Sequence, residues 1–327
     1  MIKTPICILT ADSKPLNDQI LKRILSVTVT DNRANEADQL DIVLDDSDGV
    51  LELPRRGVKI NCQLGFVGEG VHDKGDFIVD ETEWSGTPDA ITIKASSANF
   101  KSNIKEAKSK SYHRKKFGEV ASGIATNHKL ELVMIDELKN IDLNHVDQTN
   151  ESDLNLLVRL SKQNGAEMAV KKDRLLIFKA GTAKTASGKA LPSLLLTRRD
   201  GDQFRYSEQD RESDHTGVSA SYQDTSKAKR ETATAGTKGK VKKLKGTFAN
   251  KEEAERASKA KMDEIKRQKA KFSINTAFGI PSISTESPIQ LEGFKPQVDK
   301  LKWIVEKATH SYSTGGLTMQ LELEAAL

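Results

Sequence analysis

The sequence has few cysteines and no long apolar run. Its two cysteines, Cys7 and Cys62, lie far apart in a chain of 327 residues, which fits neither a disulfide framework nor a metal cluster. Each falls within an apolar strand pattern, so we expect both thiols to be buried and reduced. No segment approaches the ~18–20 apolar residues that a membrane helix needs, and the first residues lead into a strand pattern instead of a signal-peptide core. We therefore expect synthesis in the cytoplasm and no membrane partner.

A recognisable catalytic or metal-binding constellation is also lacking. The six histidines, at positions 72, 113, 128, 145, 215 and 310, do not show a metal-ligand spacing such as two histidines on one helical turn. Residues 45–57 lack the alternating oxygen ligands of an EF-hand loop, and residues 181–190 depart from the phosphate-loop pattern at two required positions. Carboxylates are plentiful, but none forms a recognisable acid–base arrangement. We expect no catalytic residue, metal, cofactor or small-molecule substrate.

The net charge is small for a chain of this length. Lys and Arg total 51 and Asp and Glu total 47, which gives a net charge of +4 and does not by itself indicate a nucleic-acid partner. Charged residues make up 30% of the chain and hydrophobic residues 36%, a balance typical of folded soluble proteins. Because single domains usually span ~100–200 residues, this length indicates two or three hydrophobic cores.

Alternating strand patterns dominate the first 100 residues. Val27 and Val29 alternate with threonines, and beyond a polar corner Leu40, Ile42 and Leu44 recur at every second position, so each run can bury one face. Similar short runs, separated by glycines, continue to about residue 98 and are typical of an antiparallel sandwich or barrel. We assign residues 1–100 to a first β-barrel domain.

The pattern changes to helical spacing after Phe100. Apolar residues recur every three or four positions in residues 116–128 and 152–163, which predicts two helices. Asn150 or Ser152 is available to cap the second helix, and a glycine follows its end. A hairpin pattern comes next. We assign residues 101–180 to a small α/β domain.

Strand patterns resume at Leu194 and continue to the end of the chain. We assign residues 181–327 to a second β-barrel domain with a helical excursion over residues 250–268. Residues 225–245 are rich in Lys, Thr, Ala and Gly and offer little apolar area to offset an ordering cost of ~1–2 kcal/mol per residue. We therefore predict a flexible basic loop there. The predicted fold class is mainly β, with two antiparallel β-barrels and an α/β insert.

Two polar segments interrupt these patterns and are candidate functional sites. The first lies at a strand corner and consists of Asp31, Asn32, Arg33, Glu36 and Asp38; the second precedes the second helix and consists of Asp147, Asn150, Glu151 and Asp153. Such residues favour turns and helix caps, and they are also suited to contact a partner. Both interpretations remain open from sequence.

The basic tract is a third candidate. Charge runs can bind phosphate by counterion release, but the tract lacks the aromatic residues that accompany single-strand recognition. A solvated loop or a protein-docking arm is the favoured interpretation. The arm would act through Lys238, Lys240, Lys242, Lys243 and Lys245.

Several blocks of the sequence resemble one family in order along the chain. They are DNRANEADQLDI from Asp31 with the following LDD and LPRRG, DQTNESDL from Asp147, LTRRDGD from Leu196, and the segment from LEGFKPQVDKLKW at Leu291 to LELE. Together they resemble the late control D family, the central baseplate hub proteins of contractile phage tails and tailocins. The resemblance covers nearly the whole chain and is weakest in the basic tract.

This resemblance implies a structural protein of a virion or tailocin baseplate, made in the cytoplasm of the host. In the family the two barrels are similar to tail-tube subunits, and a homotrimer joins the six-fold tube to the three-fold central spike. The implied partners are the tail tube, central spike, tape-measure and other baseplate proteins. Two alternatives are a cell-wall hydrolase hub and a DNA-contacting structural protein.

Overall fold

The computed structural model describes residues 3–34, 36–97, 102–208, 215–224, 229–237 and 239–326. In these residues the protein is mostly β-strand with a few small helices, as the sequence predicts. The first part of the chain forms β1 (Pro5–Ala11), β2 (Lys14–Pro15), α1 (Asp18–Leu21), β3 (Ile24–Asn32), β4 (Gln39–Asp45), β5 (Lys59–Phe66), β6 (Gly70–Ser85) and β7 (Ala90–Ser96).

These seven strands form an antiparallel sheet in the order β3-β4-β7-β6-β5-β1-β2. The predicted alternation is present, since Val27 and Val29 of β3 are buried and lie opposite Ile42 and Leu40 of β4. A fully buried side chain of this kind contributes about 1.5–3 kcal/mol to folding. Of the two cysteines, both free, Cys62 is buried in this core and Cys7 is half-buried beside it.

The middle of the chain forms an α/β module. It contains β8 (Ala107–Lys116), α2 (Phe117–Asn127), β9 (Glu131–Met134), α3 (Asp136–Lys139), β10 (Asp142–Ser152), α4 (Asp153–Gln163), β11 (Glu167–Lys171) and β12 (Arg174–Phe178), after a short 3₁₀ turn at Ser102–Lys105. Strand β8 pairs with β10, while β12 lies between β11 and β9. Helices α2 and α4 bury their apolar faces in a core that the three-stranded sheet completes.

The cap of α4 is Ser152 and not Asn150. The Ser152 hydroxyl accepts a hydrogen bond from the Asn155 N–H at 3.2 Å. Asn150 lies inside β10 with φ of 48°, a left-handed conformation that Asn tolerates better than most residues. Of the two caps that the sequence allowed, the structure therefore selects the one directly before the helix.

The last part of the chain returns to strands. It contains β13 (Leu194–Thr197), β14 (Gly201–Glu208), β15 (Gly217–Asp224), β16 (Lys229–Gly236), β17 (Val241–Phe248), α5 (Lys251–Arg267), β18 (Ala270–Thr276), β19 (Pro288–Glu292), α6 (Pro296–Asp299), β20 (Lys302–Ser313) and β21 (Gly316–Ala325). Strands β14, β18, β21, β20, β19 and β13 surround a core that includes Phe272 and Trp303. The Trp303 indole N–H donates to the Val298 carbonyl at 3.0 Å.

Strand β20 joins the two large β modules into one thirteen-stranded sheet. One of its edges pairs with β21, and the other pairs first with β19 and then, over Lys307–Ser313, with β3. Leu317 of β21 is buried in the core of the first module. The sequence predicted two antiparallel β-barrel domains, and in the structure the strands of the two large β modules share a continuous ladder.

The prediction of a flexible basic loop over residues 225–245 is corrected by the structure. Strand β15 is the centre of a small sheet, with β16 antiparallel on one edge and β17 parallel on the other. Ala220 and Tyr222 of β15 pack against Ala254 of α5, so the apolar area that the tract lacks is supplied by its neighbours. Backbone pairing orders the tract while its lysines stay at the surface. Residues 225–228 and Lys238 lie outside the described residues.

Replacing Ser152 and Asn150 separates the two capping assignments. Ser152→Ala should lower the free energy of unfolding by about 1 kcal/mol, because it removes the acceptor for the Asn155 N–H. Asn150→Ala should cost about 1 kcal/mol for a different reason, the left-handed backbone, and Asn150→Gly should cost nothing. Urea denaturation measures all three; equal losses for Asn150→Ala and Asn150→Gly would point to a lost side-chain contact.

Candidate functional site

The first polar corner closes the connection between β3 and β4. The Asn32 N–H donates to Asp38 Oδ1 at 3.0 Å, and the Asn32 side-chain amide donates to the Ala37 carbonyl at 2.9 Å. The Asp38 N–H in turn donates to Ser97 Oγ at 2.9 Å, at the end of β7. These contacts fix the corner and aim the Asp31 and Asp38 carboxylates away from their own sheet, toward the other two modules.

Asp31 connects all three modules. Lys171, at the end of β11 in the α/β module, forms ion pairs with Asp31 and, at 3.0 Å, with Asp38. From the last module, the Thr285 N–H donates to Asp31 Oδ2 at 2.9 Å. The Asp31 side chain is 14% exposed, so these contacts are largely shielded from water. One carboxylate thus holds a lysine of the second module and a loop of the third.

The same surroundings move the pKa values of the two carboxyls in opposite directions. Burial opposes ionisation of Asp31, but the charge of Lys171 and the hydrogen bonds outweigh burial and hold the Asp31 pKa below its ordinary value. Burial dominates at Asp38 and, with the neighbouring Asp31 charge, raises its pKa to about 6 despite Lys171. The two charges raise the pKa of Lys171 in spite of its burial. At neutral pH the lysine is therefore charged and Asp31 is its main counterion.

Arg33 anchors a second buried group beside the first. Its Nε lies 2.7 Å from Glu286 Oε1, and its Nη1 donates to Glu324 on β21. Arg267, at the end of α5, lies 3.0 Å from the same Glu324. Both guanidinium groups and both carboxylates are buried. This group joins the β3–β4 corner to the helix and strands of the last module.

The Arg33 group contains more acids than bases. Glu167 of β11 interacts electrostatically with Arg33 and Arg267, so three carboxyls face two guanidiniums. Burial raises the pKa of Glu286 to about 7, with Arg33 opposing and Glu167 adding to the effect. Burial likewise raises the pKa of Glu167. The group therefore takes up a proton more readily than ordinary glutamates do.

Lys74 and His310 complete the junction from the side of β6 and β20. The Lys74 ammonium donates to the Pro281 carbonyl at 2.6 Å and lies 2.9 Å from His310 Nε2. Burial lowers the pKa of Lys74 to about 8 and, together with the Lys74 charge, lowers the pKa of His310 to about 3. His310 is consequently neutral, and its Nε2 accepts a hydrogen bond from the Lys74 ammonium.

We call the Asp31 group, the Arg33 group and the Lys74–His310 pair together the charged junction. Its residues are Asp31, Arg33, Asp38, Lys74, Glu167, Lys171, Arg267, Glu286, His310 and Glu324. A cleft of about 640 Å³ opens beside it, between α4, α5 and the strands of the last module. Glu36 is exposed at the rim of this cleft. Of the first polar corner, Asp31, Asn32, Arg33 and Asp38 therefore have partners within the chain, and Glu36 is exposed.

The second polar corner lies within the α/β module and has its own partners. Asp153 accepts from Lys108, His128 and the Gln148 amide at 2.8–2.9 Å, and these hydrogen bonds hold its pKa below the ordinary value against the effect of burial. Glu151 is paired with Arg159 at 2.7 Å. The two corners are thus separate sites: the first contacts all three modules, and the contacts named for the second lie within the α/β module.

The lysines of the basic tract lie on a sheet edge. Lys242, Lys243 and Lys245 belong to β17, whose other edge pairs with β15, and Lys240 directly precedes the strand.

The residues that complete the charged junction had no signal in the sequence comparable to a polar corner or a charge run. Glu286 and Lys171 follow ordinary polar or apolar stretches, and Glu324 interrupts the alternation of β21 by being buried next to Leu323.

Comparisons with known proteins place this architecture in a family. The model of the phage tail baseplate hub (GPD) family matches residues 75–316. The probable baseplate hub protein of Escherichia phage 186 is 38% identical over 99% of this chain and 93% of its own length. The chain belongs to the phage tail baseplate hub family. The probable baseplate hub protein of Escherichia phage P2 is 36% identical, over 99% of this chain and 94% of its own length.

Solved structures show the same fold at low sequence identity. The 43 kDa tail protein of a Shewanella oneidensis prophage aligns with a TM-score of 0.69 at 14% identity, over 98% of both chains. A tail protein of Neisseria meningitidis aligns with a TM-score of 0.70 at 11% identity, over 98% of this chain and 96% of its own. The hub fold is therefore shared by tail proteins whose sequences have diverged widely. In the described part of this hub chain, every helix is too short or too polar to cross a bilayer.

Lys171 and its neighbour Lys172 offer a matched test of the junction. Lys171→Met should lower the free energy of unfolding by about 3 kcal/mol, because it leaves the Asp31 carboxylate without its main counterion in a shielded site. Lys172 forms an exposed pair with Asp73, so Lys172→Met should cost less than about 1 kcal/mol. Chemical denaturation of both variants measures the difference, and similar small losses would show that the junction pair contributes no more than a surface one.

Glu286 provides a prediction about pH. Its folded pKa of about 7 lies above the ordinary value of 4.5, so the folded chain binds more protons and this residue's contribution to stability falls as pH rises from about 4.5 to 7. Glu286→Gln mimics the protonated form. Relative to the parent chain it should gain about 1–3 kcal/mol in unfolding free energy between pH 5 and pH 8.

Glu322→Gln, at an exposed position of β21, is the control for that comparison. Denaturation curves of the parent and both variants at the two pH values supply the six free energies needed. A Glu286→Gln difference that stays constant with pH would mean that Arg33 keeps this glutamate ionised throughout.

Proposed function

We propose that this chain is a structural baseplate hub that assembles as a homotrimer and joins the six-fold tail tube to the three-fold central spike. The observation that carries the proposal is the arrangement of two large β modules on one chain, one of seven strands and one of six, fused through β3 and β20. Three copies then present six β modules around an axis, while the chain itself repeats only three times. One molecule thereby offers a quasi-six-fold face and a three-fold face.

The charged junction supports this proposal because it fixes how the two modules are oriented. A quasi-six-fold ring requires the same angle between modules in every copy. Each charge of this buried group needs a partner from another module. Any rotation of one module against another leaves charges unpaired, at a cost of several kcal/mol. We also propose that the domains divide at about residues 100 and 180, because the three main hydrophobic cores of the described chain draw on residues 9–95 with Leu317, 117–177 and 196–323.

Structural neighbours add indirect support. One is a component of the Escherichia coli type VI secretion system, described as similar to bacteriophage T4 tail proteins; it aligns with a TM-score of 0.61 at 11% identity, over 97% of this chain and 76% of its own. The same proposal includes the spike, tube and tape-measure proteins as partners of this chain. It also includes synthesis in the host cytoplasm and a place in a virion or tailocin baseplate.

A non-enzymatic role is the further part of this proposal. At the charged junction, Asp31, Asp38, Glu286 and Glu324 form ion pairs with lysine or arginine side chains. Such paired carboxyls are better suited to holding modules together than to hydrolysing a glycosidic bond. A turbidity assay on peptidoglycan tests this directly. We expect no clearing, and clearing by the purified chain would instead support the hydrolase alternative.

The oligomeric state tests the main proposal. Light scattering on the purified chain, alone and with its co-expressed spike protein, should give the mass of a trimer in at least the second case. Electron microscopy of that complex should show six similar densities around the axis. A chain that stays monomeric with the spike present, or a ring whose copy number is not three, would contradict the proposal.

We also propose that the edge strand β17 docks on an acidic face of the tube or of a neighbouring subunit. Lys242, Lys243 and Lys245 extend along this edge, and charged lysines on an edge discourage unspecific strand pairing while leaving side chains free to pair with acids. Residues 225–228 and Lys238 complete the tract in sequence.

Reversing the three β17 lysines to Glu should leave the fold intact and weaken attachment of the hub to the tube. Added salt should weaken the parent complex as well, because exposed pairs are screened within a Debye length of about 8–10 Å. Reversal of three exposed lysines of the α/β module, Lys110, Lys115 and Lys129, is the control. Pull-down with tube protein over a salt series measures both; equal binding of the β17 variant and the parent would remove β17 from the interface.

A further inference from the structure

The exposed face of the β8–β10 ribbon brings two histidines together. His113 and His145 lie directly opposite each other in the antiparallel register. Their Nδ1 atoms are 3.0 Å apart, and the ring centroids are 4.5 Å apart. Both side chains are exposed, so packing does not force this approach. Two imidazole nitrogens therefore converge at the surface, away from the charged junction.

Asp147 determines which nitrogen of His145 carries the proton. His145 Nε2 donates to Asp147 Oδ2 at 2.9 Å, and Ser111 Oγ donates to Asp147 Oδ1 at 2.6 Å. The Asp147 carboxylate accepts from both groups. With its proton on Nε2, His145 presents the Nδ1 lone pair to His113. A carboxylate behind the distal nitrogen is the arrangement found behind histidines that bind metals.

The backbone under this pair is well supported. The Asp147 carbonyl accepts from Arg159 Nη2 at 2.9 Å, which ties β10 to α4. The Asn144 side-chain amide lies 3.3 Å from Glu253 Oε1 at the start of α5. Because second-shell contacts of this kind fix ligand orientation, they lower the cost of organising the two rings for binding.

We propose that His113 and His145 form a surface site for a divalent transition-metal ion such as Zn²⁺, bound through the two Nδ1 atoms. Zinc–nitrogen distances of about 2.0–2.1 Å in tetrahedral geometry place two ligand nitrogens about 3.3 Å apart, close to the observed 3.0 Å. Binding moves the His113 ring proton from Nδ1 to the outer Nε2, with no net change in protons. The nitrogen ligands favour zinc, nickel or copper over calcium and magnesium.

The chain supplies two ligands, and solvent supplies the remaining ones. In the described residues, no group of three or more His, Cys, Asp or Glu side chains is placed to hold one ion. The open coordination positions face outward from the ribbon. In an assembled tail they are available to an imidazole or carboxylate of an adjacent chain, so the ion can bridge two proteins.

Calorimetric titration of the purified chain with ZnCl₂ in a non-chelating buffer tests the site. We expect saturable binding of one ion per chain in the parent protein and loss of that binding in both His113→Ala and His145→Ala. Asp147→Asn should weaken affinity by about 10–100-fold, as removal of a second-shell carboxylate does. His72→Ala removes an exposed histidine on β6 and should bind zinc as the parent does.

Circular dichroism without zinc establishes that each variant is folded, as expected for exposed positions. Absence of saturable zinc binding in the parent chain, or the same binding in a His113→Ala/His145→Ala double variant, would overturn the proposal. Unchanged affinity in Asp147→Asn would overturn the role given to the carboxylate. None of these outcomes depends on the oligomeric state of the hub.

Discussion

The rest of the structure depends on the pairing of Asp31 with Lys171 and Thr285. Asp31 is the single acid of β3, the strand through which the first β module joins β20 of the last one. A carboxylate shielded at that position needs a cation, and the cation comes from the α/β module. The same carboxylate accepts the Thr285 N–H from the last module. Three regions that could each bury their own core are therefore held in a single relative arrangement by one acid and its partners.

The β3–β20 ladder and the charged junction have complementary effects. Backbone pairing along β20 resists separation of the two large modules, and the buried face of β3, with Val27 and Val29, fixes the register of the ladder. The side chains of the junction add to this, because Arg33 is paired with both Glu286 and Glu324 in the observed register. Replacing such groups by apolar side chains often stabilises a protein, so we interpret the junction as a device for a unique orientation more than for stability.

Much of the fold was predictable because it rests on local periodicity. The alternation in β3 and β4 and the helical spacing of α2 and α4 each reflect a face that is buried against the nearest neighbour in sequence. The order of the basic tract was not predictable on these grounds, since β17 is stabilised by pairing with β15 and by the packing of α5 on that sheet. The polar corner was found from sequence, whereas Lys171, Glu286 and Glu324 were not. Their roles arise from contacts across 140 to 291 positions, for which a single sequence carries no signal.

The composition of the junction has a consequence for its protonation. The Arg33 group has three carboxyls for two guanidiniums, whereas Asp31 and Asp38 face two lysines. The excess acid is accommodated by raised pKa values, which keeps a proton inside the group near neutral pH. The cleft beside the junction is lined by basic side chains, among them Lys162, Arg256 and Lys271, and the charge of Lys162 also acts on Glu167. The imbalance is therefore confined to the buried group, where a shared proton compensates it.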